Sequence, residues 1–145
     1  MVRITNTIDI DAPTQDVYAA IRALDVYPTW LGHSAVYRGT KARTARAEAS
    51  LPYEDSTMVG RMSGEIVEEV PDHALQFHQA KPSGSLDALI RYDLGVVGTG
   101  TRVIRVGELT THGMLRIVQP ILLRMASRES ERTMKALKAH LERTK

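Results

Sequence analysis

Cysteine is absent from the chain, which excludes disulfides, zinc–thiolate sites and thiol nucleophiles. A marked excess of either charge is also missing. Nineteen basic against 17 acidic residues leave a net charge of +2, too little for a dedicated nucleic-acid binder unless the positive charges cluster, and they gather somewhat only at the C-terminus. Met1 to Thr7 alternates polar and apolar residues without an apolar run, so neither a signal sequence nor a membrane span is expected there, and a cytoplasmic location is the default. No internal repeat, low-complexity segment or linker divides the chain.

Several chemical signatures are lacking too. His33, His73, His78, His112 and His140 show no metal-type spacing, and no acid is placed to complete a ligand set. Serine and histidine occur without a nucleophile elbow, and Gly98-Thr99-Gly100-Thr101 has neither the lysine nor the helix start of a phosphate loop; it reads as a hairpin turn. No metal and no cofactor are therefore expected, and no catalytic residue can be assigned by motif.

What remains is an ordinary globular composition, 43% hydrophobic and 25% charged. A chain of 145 residues fits one domain, here 1–145, burying roughly 70% of the surface its unfolded form exposes. Val2, Ile4, Ile8 and Ile10 alternate with Arg3, Thr5, Thr7 and Asp9, the pattern of a strand with one dry face. Asp11-Ala12-Pro13-Thr14 then supplies an N-cap and first turn, and Val17, Ala20, Ile21 and Leu24 recur at helical spacing. Tyr27 to Gly32 predicts a tight turn or brief second helix anchored by Trp30.

From His33 to Thr111 successive strands are expected, with breaks near Gly39 to Arg43, Pro52 to Ser56, Pro71-Asp72, Pro82 to Ser85 and Gly95 to Gly100. Leu86, Ala88, Ile90, Tyr92 and Leu94 share one strand face, and Leu75 and Phe77 lie opposite Gln76 and His78. The strand from Arg61 to Val70 is too mixed to orient. After Gly113 about thirty helix-forming residues, some 45 Å if fully helical, are interrupted only by Pro120. Leu123, Ala126, Ser130, Met134, Leu137 and Leu141 form a dry stripe; Arg124, Arg128, Arg132 and Lys135 form a basic one, partly paired with Glu129 and Glu131. The result is an α+β unit with about seven antiparallel strands curved around a long C-terminal helix and two short helices after the first strand.

This order, with particular residues, resembles the START-like, helix-grip superfamily that includes polyketide cyclase/dehydrase and lipid-transport proteins, pollen-allergen-type proteins and the coenzyme Q-binding group. The resemblance is carried by Ile10-Asp11-Ala12-Pro13 with Val17, Asp25 through Tyr27-Pro28 to Trp30, Val70-Pro71 before Leu75, Gly100-Thr101-Arg102-Val103, and Leu137-Lys138 with Leu141-Glu142. It implies a cavity between sheet and helix, used across the superfamily for sterols, lipids, hormones, quinones and polyketides, and in some members for cyclisation or dehydration. One fold of this kind hosts many activities.

Within that frame the candidate ligand-binding residues are Trp30, Ile90, Tyr92, Arg105, Leu115, Val118 and Leu122. Trp30 and Tyr27 either line the cavity mouth or close the core. Tyr92 needs a hydrogen-bond partner on its apolar face. Tyr37, Tyr53 and His78 are candidates to orient or protonate a ligand carbonyl. Of the strand arginines, Arg61, Arg91 and Arg105, one facing inward would pair with a ligand carboxylate or enolate; alternation turns Arg91 outward and Arg105 inward with Val103 and Leu109. Three functions compete: a binder or carrier of an apolar or aromatic small molecule, a polyketide cyclase/aromatase or dehydratase, and an interaction factor using the outer surface. A hydrophobic small molecule is the expected partner, with no nucleic acid, no stable membrane insertion, and a monomer or homodimer.

Overall fold

The N-terminal alternation forms strand β1, Val2–Ile10, with Val2, Ile4, Ile8 and Ile10 inward and Arg3, Thr5, Thr7 and Asp9 exposed. This comes from a computed structural model that describes residues 2–32, 34, 37–42, 52–57 and 60–143. Among the described residues six further strands follow: β2 Tyr37–Ala42, β3 Pro52–Thr57, β4 Gly60–Val70, β5 Ala74–Ala80, β6 Leu86–Val97 and β7 Gly100–Thr111. They form one curved antiparallel sheet in the order β1-β7-β6-β5-β4-β3-β2. From β2 to β7 each strand pairs with its successor, and β1 closes onto β7, so among the described residues only that pairing joins distant parts of the chain.

Two expected breaks are strands instead. Gly39, at φ 120°, absorbs a register shift between Tyr37 and Thr40, so β2 continues through it. Pro52 opens β3, a position where a missing N–H is tolerated. The turn after β6 is also narrower than expected, since pairing runs on to Val97 and Gly100. In β4 a register shift between Ile66 and Glu68 switches the inward parity from Met62 and Ile66 to Glu69, which is why no single alternation fits that strand.

Helix α1, Thr14–Arg22, buries Val17, Tyr18 and Ile21. Pro13 holds the cap position without a side-chain bond, and the helix ends at Arg22, giving way to a 3-10 helix over Leu24–Thr29. The long C-terminal segment is broken. Helix α2, Met114–Ile117, ends at Val118, whose φ of −96° and ψ of 12° leave helical space, and α3 runs Gln119–Arg143, about 38 Å. Pro120 sits in the first turn of α3, where its missing N–H costs nothing. Ser130, Met134, Leu137 and Leu141 are buried as the stripe requires, against Ile10, Val17, Ile21 and Val103.

Four of the five strings that carried the resemblance meet at one end of α3. Thr101 donates to the Ala12 carbonyl at 2.7 Å, Lys138 to the Asp9 carbonyl at 2.7 Å, and the Asp11 N–H to Glu142 at 2.9 Å. A Cβ on Gly100 would lie 2.6 Å from the Ile10 carbonyl oxygen, so only glycine lets β7 start this close to β1. Trp30 packs between Tyr27, at 4.8 Å between ring centroids, and His140 of α3, at 5.9 Å. This seam fastens the helix; the other end of α3 borders open space.

Candidate functional site

Toward the start of α3, Leu122, Leu123, Met125 and Ala126 face space that the helix does not fill. A largely apolar cavity of about 220 Å³ lies there between α3 and the concave face of the sheet. The strand alternation that brings Ile90 and Tyr92 inward on β6 does the same for Arg105 on β7, and all three line it together with Leu122 of α3.

Arg105 is the centre of the polar wall. Its Nε–H donates to the Tyr92 hydroxyl at 3.0 Å, its Nη1–H to Ser130 at 2.7 Å, and Ser130 in turn donates to Asn6. The guanidinium carbon lies 5.6 Å from the Tyr92 ring centroid, close enough for cation–π attraction. Two of five guanidinium N–H bonds are used, and among the described residues no carboxylate forms an ion pair with Arg105. Glu129, which also lines the cavity, is held by Arg132 at 3.2 Å and by Ser34 at 2.8 Å. Because Tyr92 accepts from Arg105, its own O–H is left to donate. Both groups thus present N–H and O–H donors to one place in an apolar pocket.

A second polar wall lies four strands away in the sheet order, on β3. Tyr53 donates to Gln79 at 2.7 Å, and Thr40 donates to Asp55 at 2.6 Å. Burial pushes the Asp55 carboxyl up to about 6, against the pull of the Thr40 bond. Burial, then the nearby Asp55, also raises the Tyr53 phenol. The Tyr53 ring lies over Gly64 of β4, where an added Cβ would come within 2.4 Å of it, so that glycine sets how the ring fits the cavity.

Three sequence candidates lie outside this lining. Trp30 is 8% exposed in the seam, and its indole N–H has no acceptor among the described residues. Leu115 and Val118 would share a face with Leu122 on an unbroken helix, but the break at Val118 turns α2 away; Val118 is 40% exposed and α2 buries none of its residues. Of the carbonyl-orienting candidates, Tyr53 reaches the cavity, whereas His78 points to the outer face and pairs with Asp87 at 2.9 Å. The Tyr37 side chain and His33 lie outside the described residues. Arg91 is outward, bound to Asp93, Glu68 and Gln76.

Thr40, Asp55, Gln79 and Asn6 did not figure among the candidates. Asn6 left a signal, since it interrupts the dry face of β1 between Ile4 and Ile8. Asp55 left none, because its segment reads as a turn. Among the described residues, no helix is long and apolar enough to cross a membrane, and no group of histidines and acids could hold a metal.

No functionally curated protein matches the chain in sequence. Solved structures share the fold over nearly its full length. A Thermus thermophilus protein superposes with a TM-score of 0.80 at 16% identity, covering 99% of both chains. A START superfamily protein from Mycobacterium smegmatis gives 0.73 at 12% identity, again over 99% of both. The di-domain ARO/CYC StfQ of the steffimycin biosynthetic pathway gives 0.78 at 14% identity, over 99% of this chain and 52% of that one. A family model described as polyketide cyclase / dehydrase and lipid transport matches residues 1–142, and with a curved antiparallel sheet packed on a C-terminal helix around a cavity, the chain belongs to that family.

Proposed function

We propose that this protein binds a compact aromatic or alicyclic molecule carrying an acidic or enolisable oxygen, with the rings in the apolar part of the cavity and the oxygen at Arg105 and Tyr92. The observation that carries this reading is an inward arginine without a carboxylate partner among the described residues. An unpaired charge beside an apolar cavity is costly, and a ligand anion would remove that cost while gaining donors already in position. Size narrows the class. A cavity of about 150 Å³ holds benzene and drug-sized sites begin near 300 Å³, so 220 Å³ fits a body of one or two rings better than a sterol or a long acyl chain.

The test compares naphthalene-2-carboxylate with 2-methylnaphthalene by fluorescence titration. The wild type should prefer the acid at least about tenfold, the scale of one charge-assisted hydrogen bond, and Arg105→Met should lose that preference while still taking up the hydrocarbon. An equal preference in both proteins would refute the assignment.

A second reading draws on the same donor pair. Arg105 and Tyr92 converge as groups that stabilise an enolate do, and the fold is shared with an aromatase/cyclase. In that reading the cavity holds a folded poly-ketone and the pair stabilises its enolate during ring closure. Conversion of a short poly-β-ketone thioester by the wild type, and its loss in Arg105→Met and Tyr92→Phe, would establish it; binding without conversion leaves the carrier reading.

A further inference from the structure

Among the described residues, three of the four most exposed large apolar side chains sit at one corner: Met114 at 84%, Ile117 at 80% and Ile121 at 62%. Helix α2 buries nothing, so the chain spends a helical turn on an apolar projection. On α3 the spacing of three and four puts Ile121, Arg124 and Arg128 on the outward face, while Gln119, Leu122 and Ala126, at the same spacings, line the cavity behind it.

Charge follows the same division. Residues 109–128 contain Arg116, Arg124 and Arg128 and no acid, although the whole chain is only +2. All three are exposed, and among the described residues none is in an ion pair, whereas Arg132 and Lys135 one and two turns on are held by Glu129 and Glu131. An apolar tip bordered by unpaired arginines matches the layered chemistry of an acidic bilayer surface, apolar below and anionic above. A second copy matches it poorly, because a two-fold contact through this corner would bring arginine against arginine with no acid between them.

We propose that the α2–α3 corner is a docking surface for an acidic phospholipid bilayer, in which Met114, Ile117 and Ile121 enter the headgroup region and Arg116, Arg124 and Arg128 meet the lipid phosphates. The contact is peripheral, about 5–10 Å deep as for interfacial helices. It stands whether or not the cavity holds a ligand. The corner adjoins the cavity, since Thr111 and Gln119, joined by a hydrogen bond, line it at this same end.

Co-sedimentation of the full chain with vesicles of phosphatidylcholine, pure or with about one-third phosphatidylglycerol, tests the proposal at near-physiological salt. The wild type should partition to the acidic vesicles at least about tenfold more strongly than to the neutral ones, in line with three arginines near an anionic surface. Ile117→Ser with Ile121→Ser should lower binding to the acidic vesicles about tenfold, and Arg124→Glu with Arg128→Glu should abolish the preference. These side chains are exposed, so circular dichroism and the unfolding midpoint should not move, which separates lost docking from lost folding. Equal weak binding to both vesicles, or undiminished binding by both variants, would overturn the proposal. A wild-type dimer in sedimentation velocity that Ile117→Ser with Ile121→Ser makes monomeric, without vesicle binding by either, would assign the corner to a second copy instead.

Discussion

The two halves of α3 are built on the same helical repeat but treat it in opposite ways. From Met134 to Leu141 the inward stripe is sealed in the core, and the cations Arg132, Lys135 and Lys138 along this half are bound by Glu129, Glu131 and Glu142. From Gln119 to Ala126 the inward residues border a cavity, the outward ones are apolar or cationic, and no acid accompanies them. The difference teaches where stability is spent and where it is withheld. The packed half holds the helix in place, so the other half can leave a pocket unfilled and a surface uncovered at little risk to the fold.

Cutting the packed half should produce the largest effect. Leu137 is 1% exposed, and Leu137→Ala should lower stability by about 2–5 kcal/mol in urea denaturation, with ligand uptake failing only as the protein unfolds. Next comes the far wall of the cavity. Asp55 titrates near 6 in the folded state and near its ordinary 3.8 when unfolded, so between those values the folded chain holds a proton that the unfolded chain has released. Stability should therefore fall as the pH rises from about 4 to about 6 and level off above. Asp55→Asn should remove this fall and gain roughly 1–3 kcal/mol at neutral pH, measured by denaturation across that range.

A smaller effect is expected at Arg105. Removing an inward charge without a carboxylate partner should leave Arg105→Met within about 1 kcal/mol of the wild type, or slightly more stable, while the preference for an acidic ligand disappears. The smallest belongs to the uncovered corner: Ile117→Ser should shift stability by no more than about 0.5 kcal/mol while weakening vesicle binding. A large loss of stability in Ile117→Ser, or none in Leu137→Ala, would break the contrast between the halves.

How well the sequence could be read follows the same line. Alternation located the inward faces of β1 and β6 and turned Arg91 out and Arg105 in, because a strand with one buried face repeats every two residues. It failed on β4, where a bulge resets the repeat after Ile66, and on β2 and β3, where Gly39 and Pro52 resemble punctuation but lie within or at the start of strands. Tyr92, Ile90, Arg105 and Leu122 were found among the lining residues because each follows its element's repeat. Leu115 and Val118 were misplaced by assuming that the repeat continued across the helix break.

By itself the sequence determined the α+β order, the dry stripe of α3 and the strings at Ile10, Gly100 and Lys138, since periodicity and short motifs are local and survive being read one segment at a time. Only the tertiary structure decided that those strings touch, that Arg105 meets Tyr92 and Ser130, that Asp55 shares the cavity, and that the α2–α3 corner is left bare. Each of these depends on the path of the curved sheet and on one broken helix, which bring together residues as far apart as Asn6 and Ser130, a relation that no local pattern records.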